Sequence, residues 1–398
     1  MIKIKMGNLK SYHLFLFLSI TVLINPIRTC NGQQLFVFGD SLYDPGNKQF
    51  VSNHPVPANF FPYGMTLGRP TGRWSDGLII PDYIAGFLGI PQVPPFLEKQ
   101  ADISHGASFA IADASVLGKD SRSLMTFANQ GRTFERNKRK WTQQEREEAL
   151  YLFYIGTQDY LNYTLTHSDP SFFDQENFIN NVVLEIEQVL KTIYRGGGRK
   201  FAFQNLAPLG CLPVADKLFE SNHECAELPT IMAALHNIKL LETLQKLVKT
   251  LDGFQFTVFN YYDAVFLRLN SVKIYGFRKK NACCSIRETG ACKIKHGDEG
   301  DDSKKCEKPG KYLFFDGEHG TEKANEQMAH LMWSADPGVV GPVNLRELFV
   351  YPLTAPFDYV VSDSQFAATT YQKIKLHEEE EDEEGEKEGE EGGLVFSA

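Results

Sequence analysis

Short apolar runs, most of them rich in β-branched or aromatic residues, recur along the chain at Leu35–Phe38, Leu152–Ile155, Phe201–Phe203, Phe254–Phe259 and Tyr312–Phe315. Between them the apolar positions change period. Phe178, Val182, Ile186, Val189 and Ile193 follow helical spacing, and so do Ile231, Leu235, Ile238, Leu241, Leu244 and Val248. Strands with hardly a polar position are expected where both faces of a sheet are covered. Their alternation with amphipathic helices predicts the α/β class: a three-layer, doubly wound parallel sheet with helices on both faces. No internal repeat is visible.

The two ends depart from this pattern. Lys3, Lys5 and Lys10 precede an apolar stretch from Leu14 to Ile24, followed by Pro26 and the small or polar residues Thr29 to Gly32. A basic, then apolar, then small-residue order predicts a secretory signal peptide over residues 1–32. Ser19 and Thr21 interrupt the stretch, which is shorter than the ~20 residues a spanning helix needs, so no membrane span is expected. Residues 378–391 hold eleven acidic side chains and Lys387. Such a run repels itself and cannot bury apolar area, so residues 367–398 are expected to be a disordered acidic tail. Residues 33–366 then form the folded domain.

Of the formal charge of −9, the tail carries more than the whole, and the basic N-terminus offsets part of it. The body is left near neutral, without the basic patch that tracking a phosphate backbone requires, which excludes nucleic-acid binding as a first reading. Loss of a signal peptide would remove Cys30 from the seven cysteines and leave Cys211, Cys225, Cys283, Cys284, Cys292 and Cys306. The adjacent Cys283 and Cys284 are poorly placed to pair with each other. Short-range bridges are expected, Cys211 with Cys225, and Cys283 and Cys284 with Cys292 and Cys306 in either arrangement. With no CxxC pair present, a zinc site ranks below disulfides. Asn162-Tyr163-Thr164 is an N-glycosylation acceptor. These features predict secretion or delivery to an endomembrane lumen. The polar, cysteine-bearing segment 288–308 should be a stapled surface loop.

Two strand-to-loop junctions carry candidate chemistry. In Phe36-Val37-Phe38-Gly39-Asp40-Ser41-Leu42 an apolar strand stops at Gly39 and a serine follows two residues later. Ligands of α/β sheets sit beyond the carboxyl ends of the strands, so Ser41 is placed to act as a nucleophile with its own N–H near a developing oxyanion. By itself this segment reads better as a helix N-cap, which strand–loop–helix connections use routinely. Phe314-Phe315-Asp316-Gly317-Glu318-His319 is the second junction. A carboxylate on one imidazole nitrogen fixes the tautomer while the other nitrogen takes a serine proton, and one tight loop can supply both groups.

The chain resembles the plant GDSL esterase/lipase family of the SGNH-hydrolase superfamily from Phe36 to about Pro352. Gly39-Asp40-Ser41-Leu42 with Asp44, Gly46 and Asn47 matches its first block, and Gly72-Arg73-Trp74-Ser75-Asp76-Gly77 its GRxSDG segment. Ile155-Gly156-Thr157-Gln158-Asp159-Tyr160 corresponds to IGxNDY. Pro208-Leu209-Gly210-Cys211-Leu212-Pro213 and the Cys283-Cys284 pair fit as well. Asp316, His319 and Thr321-Glu322-Lys323-Ala324-Asn325 match DxxHPTEKAN, with Gly320 in place of proline. The resemblance implies Ser41 as nucleophile, His319 as general base and acid, Asp316 as its orienting carboxylate, and hydrolysis of acyl esters or lipids through an acyl-enzyme. It implies no metal and no organic cofactor.

The resemblance also marks two departures. The family completes its oxyanion hole with a glycine-rich segment and the asparagine of IGxND. Here Ala112 and Asp113 stand where glycines are usual, and Gln158 replaces the asparagine. The expected donors are Ser41, Ala112, Asp113 and Gln158. An Asp113 carboxylate there would oppose the negative charge that catalysis must stabilise, and one lost donor typically costs ~10²–10³ in rate. The stretch 106–118 is similar to the myrosinase-associated and epithiospecifier-modifier-like branch. Members of that branch are linked to glucosinolate breakdown and to complexes with β-glucosidases, and some are considered inactive as esterases. The resemblance therefore implies either an exported esterase with a weakened oxyanion hole or a modifier protein that works beside myrosinase.

Overall fold

The computed structural model describes residues 33–118, 126–221, 224–293 and 306–357. The expected signal peptide, the acidic tail and residues 294–305 of the cysteine-bearing loop lie outside the described residues. Five strands, β1 Leu35–Gly39, β2 Gly106–Ser108, β3 Leu150–Tyr154, β4 Lys200–Gln204 and β5 Gln255–Phe259, run parallel in the order β2-β1-β3-β4-β5. Every residue of β1, β3, β4 and β5 is buried. Successive strand residues face opposite sides, so both faces of the sheet are covered. Stacked rings tie the strands together, with centroids 5.2 Å apart for Phe38 and Phe153 and 4.7 Å apart for Phe153 and Phe203.

Two further strands form a separate ribbon, β6 Lys279–Ala282 paired in parallel with β7 Tyr312–Phe314. The run Tyr312–Phe315 therefore forms a strand but does not join the main sheet. At the sheet edge, β8 Val340–Gly341 pairs antiparallel with β5, an element of two residues that the hydrophobic pattern does not reveal.

Seven helices of eight residues or more occur among the described residues: α1 Ile80–Phe87, α2 Phe127–Asn137, α3 Thr157–Thr166, α4 Phe172–Arg195, α5 Glu227–Thr250, α6 Tyr261–Asn270 and α7 Glu322–Ser334. Helices α2, α4 and α5 pack in sequence on one another, and α1 packs on α7. The expected stripe of α4 is buried at Val182, Ile186, Val189 and Ile193. In α5 the buried face is shifted from the expected stripe to Met232, His236, Leu240, Leu244 and Leu247, because that helix meets α3, α4 and β5 over a broad arc. No helix among the described residues is long and apolar enough to cross a membrane.

The three disulfides are short-range: Cys211–Cys225 closes the segment between β4 and α5, and Cys283–Cys306 and Cys284–Cys292 staple the segment between β6 and β7. Strand β1 lies between β2 and β3, so the loops leaving these three strands converge at a switch point of the winding.

Candidate active site

Gly39 ends β1 with φ of +144° where the Tyr154 carbonyl would overlap any Cβ, so only glycine lets β1 and β3 approach this closely. Buried Gln130 of α2 holds that end from the side: its oxygen accepts from the Gly39 N–H at 2.8 Å and its amide donates to the Gly39 carbonyl at 2.7 Å. Ser41 follows, 6% exposed.

The loop after β7 delivers the other two groups. The Phe315 N–H donates to the His319 carbonyl at 2.8 Å and closes a tight turn. Inside it, Asp316 Oδ1 accepts from the N–H groups of Glu318 and His319 at 2.9 and 2.8 Å. His319 Nδ1 lies 2.8 Å from the same oxygen and 2.9 Å from Oδ2. Its Nε2 lies 2.7 Å from Ser41 Oγ. The structure thus brings Ser41, His319 and Asp316 into one hydrogen-bonded chain although 278 positions separate the serine from the histidine. Burial works against the charged imidazole, but the facing Asp316, with Glu318 and Asp40 nearby, outweighs it and raises the His319 pKa above its ordinary value.

Supporting groups surround these three residues, and one of them, Tyr63, was not singled out from sequence. The Tyr63 hydroxyl donates to Asp316 Oδ2 at 2.8 Å and accepts from the Cys292 N–H at 3.0 Å, coupling this carboxylate to the disulfide-stapled segment. The Trp74 ring packs against the His319 ring at 5.4 Å. In the same segment Ser75 donates to the Gly320 carbonyl at 3.0 Å, and Asp76 accepts from the Glu322 N–H at 2.8 Å. The GRxSDG-like residues therefore hold the histidine loop in place.

Asp44 and Asn47 tie the serine loop to the segment after β2. Asp44 accepts from the N–H groups of Gly46, Asn47, Lys48 and Ala112, and burial raises its pKa to about 6. Asn47 donates to the carbonyls of Ser108 and Ala110, both at 2.8 Å. The Ala112 N–H, expected as an oxyanion donor, is thus engaged by Asp44 at 2.8 Å rather than offered to the site. Asp113 takes the left-handed conformation, φ +63°, that a glycine would adopt at less cost, and aspartate is among the few side chains that tolerate it. Its carboxylate pairs with Lys48 Nζ at 2.7 Å, which offsets the charge that the sequence places beside the oxyanion. Among the described residues, the N–H groups of Ser41 and Asp113 have no acceptor in the protein.

Gln158, on the first turn of α3, donates to the two carboxylate oxygens of Glu318 at 3.4 and 3.2 Å. Neighbouring Asp159 accepts from the Val116 and Leu117 N–H groups at 2.8 and 2.9 Å, fixing α3 to the segment after β2. Burial pushes the Glu318 carboxyl up to about 7, the nearby His319 opposing and Asp316 and Asp113 adding to the rise. Ser41, Trp74, Asp113, Gln158, Glu318 and His319 line a cavity of about 630 Å³, large enough for a substrate of drug-like size. Asn162 is exposed on α3 at the edge of this cavity. No cluster of metal-ligating residues occurs among the described residues.

Residues 35–332 match the family described as GDSL-like Lipase/Acylhydrolase. The chain is 48% identical over 350 residues to the Arabidopsis thaliana protein named inactive GDSL esterase/lipase-like protein 25, covering 88% of this chain and 82% of that one. It is 42% identical over 349 residues to GDSL esterase/lipase ESM1 of the same plant, covering 84% of this chain and 88% of the relative. A third Arabidopsis relative, GDSL esterase/lipase 22, is 38% identical over 357 residues, 86% of this chain and 90% of its own. With nearly the whole described body matched, the chain belongs to the GDSL lipase/acylhydrolase family.

Proposed function

We propose that the protein is an exported serine hydrolase that cleaves carboxylic esters, including lipid esters, through Ser41, His319 and Asp316. Ser41 Oγ attacks the ester carbonyl carbon while His319 Nε2 takes its proton. The N–H groups of Ser41 and Asp113 receive the oxyanion of the tetrahedral intermediate. His319 returns the proton to the departing alcohol, leaving an acyl group on Ser41. Water, deprotonated by the same imidazole, then releases the acid and restores the serine. Asp316 keeps Nδ1 protonated and stabilises the imidazolium, with Tyr63 holding its second oxygen.

The observation that carries this reading is the Oγ–Nε2 separation of 2.7 Å with Asp316 already seated on the opposite ring nitrogen. A fluorophosphonate probe should label the wild type and spare Ser41→Ala, and p-nitrophenyl acetate should be hydrolysed by the wild type only. His319→Ala should lose almost as much, since the two groups act as a unit. Equal turnover by wild type and Ser41→Ala would refute the proposal.

Export and glycosylation at Asn162 belong to the same proposal, supported by three disulfides and an exposed acceptor asparagine. A second reading is a modifier protein beside myrosinase-type β-glucosidases. The 48%-identical relative whose name calls it inactive, and the engagement of Gln158 by Glu318, favour it. It predicts co-purification with a β-glucosidase that survives Ser41→Ala.

A further inference from the structure

Glu318 sits between the two residues of the loop that do chemistry, yet the mechanism assigns it nothing. It is 8% exposed, lines the cavity that holds Ser41, and faces Gln158 across it. Gln158 stands where the expected third oxyanion donor belongs, four residues beyond the end of β3. An amide has two hydrogens but one orientation at a time, and here its nitrogen is turned to both carboxylate oxygens. While that contact holds, the donor serves a fixed anion instead of a transient one.

The surroundings leave this carboxylate short of counter-charge. Asp316 and His319 flank it on its own loop, Asp40 approaches from the end of β1, and Asp113 from the segment after β2. The phenols of Tyr63 and Tyr154 are also near, and Glu288 lines the same cavity. The facing cation, Lys48, is held by Asp113 at 2.7 Å. Two effects on an attacked ester follow. The amide is withheld from the oxyanion, and a second negative charge stands near the place where the oxyanion forms.

We infer that Glu318 is a brake on the hydrolytic site, a positioning residue that clamps Gln158 away from the oxyanion and lowers the rate of ester hydrolysis. The inference rests on the esterase reading of Ser41 and deepens it. Opening the clamp requires Glu318 to swing aside or to be replaced by a side chain without an acceptor; becoming neutral weakens it, because a charged acceptor holds the amide more strongly. It acts through Gln158 and through His319, whose charged form its carboxylate favours.

The test uses the full-length protein, p-nitrophenyl acetate and a fluorophosphonate probe. Glu318→Ala takes the acceptor away from the Gln158 amide and should raise kcat and the labelling rate about 10- to 100-fold, a part of the ~10²–10³ that one oxyanion donor is worth. With the carboxylate gone, the acid limb of the pH–rate profile should move to lower pH, because His319 loses a neighbour that favours its protonation. In the Gln158→Ala background the gain should shrink to a few-fold, since the donor to be released is absent. Glu318→Gln, which removes the charge but keeps an oxygen for the Gln158 amide, should give a smaller gain in the same direction and covers the case in which the alanine variant misfolds; circular dichroism checks both. Wild-type labelling with no gain in either folded variant, and an unmoved acid limb, would overturn the brake and leave the nucleophile standing. No labelling of wild type or variants would overturn both. Labelling that emerges only when Glu318 is replaced would support both.

Discussion

The buried Glu318 carboxyl makes a prediction that needs no substrate. Its ordinary pKa of 4.5 is raised to about 7 in the folded protein. The folded state therefore holds this proton to higher pH than the unfolded chain does. Stability is fullest where both states are protonated, falls as pH rises through the window from about 4.5 to about 7, and stays reduced above it. At ~1.4 kcal/mol per pKa unit the penalty approaches about 3 kcal/mol. Replacing Glu318 by glutamine removes the titration and keeps an acceptor for the Gln158 amide. At pH 8 the variant should be more stable than the wild type by about 2–3 kcal/mol, and at pH 4 the difference should vanish. For domains of 150–250 residues 1 kcal/mol shifts Tm by about 2–4 °C, and by less in a larger one, so the gain at pH 8 should be on the order of 5 °C. Thermal melts of both proteins between pH 4 and 8 measure it; the difference cancels titrating groups remote from Glu318, while His319 and Asp40, which interact with it, shift along with it. A difference that does not change with pH, or a wild type more stable at pH 8, would show that Glu318 is not buried as a strained carboxylate.

Two further substitutions probe the supports of the site. Tyr63→Phe removes the hydroxyl from Asp316 Oδ2 and leaves the Cys292 N–H without its acceptor; stability should drop by about 1–3 kcal/mol and kcat for p-nitrophenyl acetate about 10-fold with little change in KM. Unchanged kcat and unchanged urea midpoint would remove Tyr63 from the positioning network. Gln130→Leu strands the N–H of Gly39 in the core, while the carbonyl keeps the Ile111 N–H at 3.0 Å, and urea unfolding should report a loss of about 1–3 kcal/mol. A loss below about 1 kcal/mol would mean that the end of β1 is held by other contacts.

Strands β1, β3, β4 and β5 were legible because they are buried on both faces and read as largely apolar runs, whereas β2, Gly106-Ala107-Ser108, is too short and too small in side chains to show one. The apolar signal misleads at Tyr312–Phe314, since an apolar run states that a strand is covered but not which strand it pairs with. In α5 the stripe was displaced because a helix touched from several directions buries more than one periodic row. The Ser41, Asp316 and His319 positions were legible from short local motifs. Tyr63, Gln130 and Lys48 were not, because each acts through a partner far along the chain, 253 positions away for Tyr63 and Asp316. Glu318 was visible as a charge between two motif residues, but its meaning depends on Gln158, 160 positions earlier. The doubt raised by Asp113 had an answer that only the fold holds: a tolerated left-handed backbone and a lysine in reach.

The geometry of the triad and its electrostatics point in different directions, and the difference locates what limits this site. Hydrogen-bond distances of 2.7–2.9 Å between Ser41, His319 and Asp316 leave little to gain from better alignment. The carboxyl groups around the imidazole are another matter. Asp316 is required, because an imidazolium forms during each half-reaction. Glu318 and Asp40 favour the same imidazolium before any reaction begins, and a base already protonated cannot take the serine proton. Burial counters this by raising the pKa of both carboxyls, so that each is discharged more readily than an exposed acid. The site is therefore balanced between two protonation patterns, one that favours catalysis and one that opposes it. In a protein so arranged, an intact triad does not by itself specify an active esterase. On the proposed mechanism, a neutral Glu318 favours the imidazolium less and so leaves more of His319 free to take the serine proton.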